Sequence, residues 1–217
     1  MSQMVDLSHH IESGTITYPG LPGPTISDYM SREESRHLYA EGTEFQIGRI
    51  DMVANTGTYL DTPFHRYPDG HDLAGLTLER VADLDGVCVE AGAGGISTEL
   101  LEGVDVAGRA VLFHTGWDRH WGTDSYGDPE HPYLTEAAAE LLVTQAAALV
   151  GIDSVNIDDT RTGTRPAHTR LLAAGIPVVE HLTKLESLVG SQFRFFAVPP
   201  LVRGMGTFPV RAFAIVS

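Results

Sequence analysis

The sequence predicts a mixed α/β fold in which helices pack against a mainly β core. Three observations carry this. Apolar strand-like runs dominate both ends, strands and helices alternate in the middle, and no repeat or low-complexity block interrupts them. A chain of 217 residues, 42% of them hydrophobic, is long enough for a substantial core. With no linker in view, one domain spanning residues 1–217 is the simplest organisation.

Each element rests on local chemistry. Residues 14–26 carry Gly14, Pro19, Gly20, Pro22, Gly23 and Pro24, which is loop composition. Residues 28–42 are polar and read as a short helix or an exposed flap. Phe45–Ile47 and Ile50–Val53 read as strands leading to Asn55. Val87–Glu90 and Ala110–Phe113 are buried-strand runs. Thr135 to Ala148 is the clearest helix, with Thr135 as its cap and Glu136 in the first turn. Leu149–Ile152 is a short apolar strand ending at Asp153. His168 to Ala174 is helical, stopped by Gly175. Pro177–Glu180 is a strand with a carboxylate at its end. Two further strands, Phe193–Ala197 and Val210–Val216, are expected to be joined by a turn at Gly204–Gly206.

The formal net charge of −15 opposes binding to nucleic acid or an anionic membrane. It leaves room for an anionic small substrate, because a local cation can reverse the sign inside a pocket. The single cysteine, Cys88, precludes an internal disulfide and sits in an apolar run, as a small buried hydrophobe does. No apolar run reaches the ~18 residues of a membrane span. The stretch Met1–Leu7 lacks the basic-then-apolar order of a signal peptide, so a cytoplasmic protein is expected.

Chemistry concentrates in Asn55-Thr-Gly-Thr58-Tyr59-Leu-Asp61-Thr-Pro-Phe-His65. Gly57 permits a tight turn, and Pro63 stiffens the backbone leading to His65. If residues 59–61 are extended, Tyr59 and Asp61 project to one side. Asp61 near His65 would orient the imidazole and raise its basicity. A polar loop with capping side chains fits the same spacing. Glu180, closing an apolar run, needs a partner or a cation. His168 and Glu180 meet only if the strand returns beside the helix start. Asp153 is equally a strand-end cap. His114 and Trp117, with His120 and Trp121, form an aromatic and imidazole cluster that lines a pocket or belongs to the core. Arg66, Arg161 and Arg165 could neutralise a substrate carboxylate, but on an acidic chain such arginines are more often surface ion-pair partners.

Taken in order, these motifs resemble the cyclase-like metal-dependent hydrolases, a family that includes bacterial kynurenine formamidase, isatin hydrolase and proteins labelled polyketide cyclases. Their hallmark is His-x-Gly-Thr-His-x-Asp-x-Pro-x-His. Here that frame reads Asn55-x-Gly57-Thr58-Tyr59-x-Asp61-x-Pro63-x-His65. Asp6–His9, Tyr18–Gly20, His131–Leu134, Gly151–Ser154, His168 with Leu171-Leu172, Glu180–Leu182, Pro199–Leu201 and Pro209–Ala212 extend the resemblance over nearly the whole chain. It implies a swivelling β/β/α-type domain with a β-barrel-like core flanked by helices, and a homodimer or homotetramer. It also implies metal ligation by Asp61, His168 and Glu180, with His65 as the acid–base residue.

Asn55 and Tyr59 stand where the family has histidines. A carboxamide is a poor zinc ligand and a protonated phenol a poorer one. Either one divalent metal, zinc or manganese, survives on Asp61, His168 and Glu180, or there is none. In both cases Asn55 and Tyr59 would polarise a carbonyl, and Thr58, His114 and Trp117 would contact substrate. The expected function is hydrolysis of a C–N bond or lactone in a small molecule. The alternatives are a metal-independent cyclase, dehydratase or isomerase, and a non-catalytic binder.

Overall fold

The computed structural model describes residues 2–217. In its first half the chain forms β1 (Gln3–Asp6), β2 (Thr25–Met30), the short helix α1 (Arg32–Ser35), β3 (Ile47–Asp51), β4 (Tyr59–Asp61), β5 (Leu84–Glu90) and β6 (Gly95–Ile96). Then come β7 (Ala110–His114), β8 (Tyr133–Leu134), α2 (Glu136–Thr144), β9 (Leu149–Ile152), α3 (Pro166–Ala173), β10 (Val178–Glu180), β11 (Phe193–Phe196), β12 (Thr207–Pro209) and β13 (Phe213–Val216).

Nine strands form one sheet in the order β1-β13-β11-β5-β7-β9-β10-β4-β12. The central pairs β5–β7, β7–β9 and β9–β10 are parallel, and the flanking pairs are antiparallel. The sheet curls. Just beyond the edge strand β1, Ser8 bridges Leu182, which comes after β10 near the opposite edge, and Thr183 N donates to Leu7 O at 3.0 Å. The result is a half-barrel with few helices, which is the expected architecture.

Strand alternation divides the apolar residues between two cores. On β7, Ala110 and Leu112 face the inside of the curl, while Val111 and Phe113 face α2 and α3. On β9, Leu149 goes inward, and Val150 and Ile152 go to the helices. The two helices close the outer core with Ala138, Ala139, Leu142, Leu171 and Leu172.

The expected helix from Thr135 ends at Thr144 rather than Ala148. The Thr135 hydroxyl caps it by accepting from Ala138 N at 3.3 Å, but Ala146 adopts a left-handed φ of 57°, which breaks it before β9. α3 begins two residues earlier than expected, because Pro166 suits the first helical position. The expected strands at 45–47 and 50–53 are one strand, β3, paired only with β2. This hairpin leaves Ile26, Tyr29, Phe45, Ile47 and Ile50 exposed. The turn at Gly204–Gly206 does not join the last two strands directly. It feeds β12, which pairs with β4, and that added strand matters for the site. Among the described residues, no helix is long and apolar enough to cross a membrane.

Candidate active site

Gly57, with φ of 66°, turns the chain into β4 while its N–H donates to Thr17 Oγ1 at 2.7 Å. Along β4, Leu60 enters the inner core, so Tyr59 and Asp61 point to the other face. On the neighbouring β10, Val179 goes inward, so Val178 and Glu180 share that other face. Strand register then decides who meets whom. Glu180 lies opposite Tyr59, and the Tyr59 hydroxyl donates to Glu180 Oε2 at 2.7 Å. Thr207 of β12 lies opposite Asp61 and donates its hydroxyl to Asp61 Oδ1.

Pro63 starts a 3-10 turn, Pro63–His65, that swings the imidazole back over Asp61, with Nδ1 3.6 Å from Oδ1. Between them stands the Thr207 hydroxyl, 2.8 Å from His65 Nδ1. Its proton goes to Asp61, so its oxygen accepts from Nδ1–H, which leaves Nε2 as the basic nitrogen. Gly206 makes this approach possible, since a Cβ there would overlap the backbone nitrogen of His65. The His65 side chain is 36% exposed against 0% for Asp61, so the ring is the part of this pair open to a ligand.

His168 comes from the first turn of α3. Asp158 fixes both the helix start and the ring: its carboxylate accepts from Ala167 N at 2.6 Å, His168 N at 3.1 Å and His168 Nδ1 at 2.6 Å. His168 Nε2 therefore faces Asp61 Oδ2 at 3.6 Å and Glu180 Oε1 at 3.7 Å. Glu180 Oε1 also accepts from Ile157 N at 2.6 Å.

This face calls for positive charge. Burial opposes ionisation of Asp61, yet His168, His65 and Thr207 hold its pKa below the usual value. Burial pushes Glu180 up to about 7, against the pull of His168. Burial disfavours the His168 cation, but Glu180, Asp158 and Asp61 together raise its pKa well above the usual histidine value. Burial, then Glu180 and Asp61, keep Tyr59 a neutral phenol.

Among the described residues Asp61 Oδ2 is buried with no hydrogen-bond partner, a costly state that a cation would relieve. Asp61, His65 and His168 each offer a ligand atom, all within 4.8 Å of one another. Oxygen and imidazole donors around a tetrahedral ion at roughly 2.0–2.2 Å stand about 3.4 Å apart, close to the separations seen here. That trio fits a divalent ion; Glu180, expected as a ligand beside Asp61 and His168, is not one of its three donors.

The cluster opens into a cavity of about 390 Å³ whose wall includes Asn55, Tyr59, His65, Asn156, His168 and Glu180. Thr58, His114 and Trp117 do not border it. The buried Thr58 hydroxyl donates to His181 O at 2.5 Å and accepts from His9 N at 3.1 Å, tying three segments together. Trp117 Nε1 donates to Tyr126 O at 2.9 Å, and its ring lies 4.7 Å from that of His120. His114 closes β7 and is not part of this cavity's wall. Asp153 is a cap, accepting from Thr115 N and Gly116 N at 2.8 to 3.0 Å. Sequence reasoning missed Asp158, Thr207 and Asn156. Only Asp158 carried a signal, as a second carboxylate just beyond the strand that ends at Asp153.

The family model described as "Putative cyclase" matches residues 5–159. Kynurenine formamidase of Geobacillus thermodenitrificans (strain NG80-2) is 28% identical over 214 residues, covering 98% of this chain and 97% of the relative. The enzyme of that name from Erythrobacter litoralis (strain HTCC2594) is 29% identical over 200 residues, covering 89% and 85%. Isatin hydrolase A from Labrenzia aggregata superposes with a TM-score of 0.82 at 21% identity, over 99% of this chain and 94% of that one. A structure described as a potential metal-dependent hydrolase with cyclase activity gives 0.78 at 24% identity, over 100% and 99%. At these identities the solved structures establish likeness of fold.

Proposed function

The chain belongs to the cyclase family, and from that premise we propose that it is an enzyme hydrolysing a C–N bond, in a formamide, another amide or a cyclic amide, of a small molecule. The observation that carries the reading is the convergence of two braced imidazoles on one cavity wall: His65 on Thr207 and Asp61, and His168 on Asp158. The continuous sheet from residue 3 to residue 216 supports a single domain acting as one unit.

Of the three donors that converge, Asp61 and His168 would hold one divalent ion, zinc or manganese, with Glu180, 3.7 Å from His168 Nε2, completing the set in place of the more exposed His65, which is left facing the substrate. Bound there, the ion supplies Lewis acidity to the scissile carbonyl. His65 does the proton work. Its Nε2 takes a proton from water as the water oxygen bonds to the carbonyl carbon, while Nδ1–H stays on Thr207. As the C–N bond breaks, His65 returns that proton to the departing nitrogen, releasing an amine and a carboxylic acid. The carboxamides of Asn55 and Asn156 line the same wall and donate to the charge that develops on the carbonyl oxygen. Tyr59 has a different task from the one its position suggested. Its proton is committed to Glu180, so it orients that carboxylate.

The test is turnover of an N-formyl arylamine by the wild type and by His65→Gln. The variant is expected to lose at least ~10²-fold in kcat while melting at the wild-type temperature. Wild-type turnover in His65→Gln would remove the acid–base assignment.

A further inference from the structure

Three arginines were candidates either for surface ion pairs or for an anionic substrate, and the structure separates them. Arg161 is taken, paired with Asp159 at 2.9 Å and Glu130 at 3.1 Å. Arg66 and Arg165 both line the site cavity, and among the described residues neither makes an ion pair. Arg165 is tethered without being neutralised. Its Nη1 donates to the carbonyls of Thr162 and Thr164 at 2.7 Å and of Asp159 at 3.3 Å, which leaves Nε and Nη2 without an acceptor among the described residues. Arg66 rests its guanidinium 5.5 Å from the centre of the Tyr67 ring, and the Tyr67 hydroxyl is anchored on Thr169 O at 2.9 Å.

Both positions are tied to the reacting groups. Arg66 is next to His65 in the chain, closing the same 3-10 turn through its N–H to Pro63 O. Arg165 is the residue immediately before α3, three positions ahead of His168, so both are carried by the same segment. The one acidic side chain on the cavity wall, Glu180, is buried and already accepts from Tyr59 and Ile157. The charge presented at the opening is therefore cationic, on a chain whose net charge is −15.

We infer that this pocket selects amides carrying a carboxylate, held by the guanidinium groups of Arg66 and Arg165 at the rim while the C–N bond reaches His65. The inference rests on the amide-hydrolase reading and adds its substrate class. A cavity of about 390 Å³ suits an acid built on a single ring. An unpaired guanidinium prefers a carboxylate by geometry as well as charge, since two N–H groups can meet two oxygens.

The experiment compares two nearly isosteric substrates, 2-formamidobenzoate and 2-formamidobenzamide. Enzyme as purified, with its metal content measured, is assayed beside Arg66→Gln, Arg165→Gln and the double variant. The wild type is expected to favour the carboxylate in kcat/KM by at least about tenfold. Each substitution should reduce that ratio several-fold, chiefly through KM, and the double variant should bring it near unity. A wild-type preference for the benzamide, or a ratio that survives the double substitution, would overturn the inference. If neither compound is cleaved, the amide-hydrolase reading fails, and binding of 2-aminobenzoate against 2-aminobenzamide decides the present point. Preferential binding of the acid, lost in the double variant, sustains it. Equal binding, no binding, or acid binding that persists in the double variant refutes it.

Discussion

Replacing Thr207 by valine removes one hydroxyl and almost no volume, yet that hydroxyl connects the two groups at the heart of the site. It donates to Asp61 Oδ1 and sits 2.8 Å from His65 Nδ1. In Thr207→Val, Asp61 Oδ1 loses this donor and Oδ2 already has no partner, while His65 loses what fixes its tautomer. Loss of a bond to a buried carboxylate costs about 1.5–3 kcal/mol of stability, and loss of an orienting partner typically costs 10–100-fold in activity. That fold-change is about 1.4–2.7 kcal/mol in the barrier. The assay is kcat/KM on an N-formyl arylamine beside thermal denaturation. Thr207→Ser should recover most of both losses. Activity within twofold of wild type in Thr207→Val would refute the claim that Thr207 links acid to base.

The same geometry sets two further outcomes. Asp158→Asn removes the carboxylate behind His168, so metal affinity, read by competition with a chromogenic chelator, should fall about 10–100-fold; unchanged affinity would exclude Asp158 as the orienting partner. His9 is pulled down to about 4, first by burial and then by His10 and Lys184, against the opposing pull of Asp118. A histidine depressed in the folded state lends stability above its unfolded pKa of about 6.5, and that stability is lost as pH falls toward the folded value. Between pH 7 and pH 5 the wild type should therefore lose roughly 1–2 kcal/mol more than His9→Gln, discounting for partial exposure. Denaturant curves of equal pH slope would show that His9 is not buried in its neutral form.

The central segment was legible because its spacing is local. Two residues apart on a strand, Tyr59 and Asp61 had to share a face, and Pro63 had to turn the chain before His65. Glu180 announced itself as a carboxylate ending an apolar strand. What the sequence withheld depends on long-range register. Thr207 matters because β12 pairs with β4, and a turn assigned to a simple hairpin concealed that strand. Asp158 matters because its loop folds over the start of α3, a contact no periodicity encodes. Pocket membership was hardest of all. Thr58 lies inside the motif, yet its hydroxyl holds backbone segments together, while Arg66 and Arg165 looked like ordinary surface cations until their lack of acidic partners could be seen.

The most direct test of the account is mass analysis of the products when an N-formyl arylamine is turned over in ¹⁸O-labelled water under conditions limited to a single pass. Hydrolysis at this site predicts free arylamine and formate carrying one ¹⁸O. Turnover that leaves the C–N bond intact, or that releases product without the label, would contradict it.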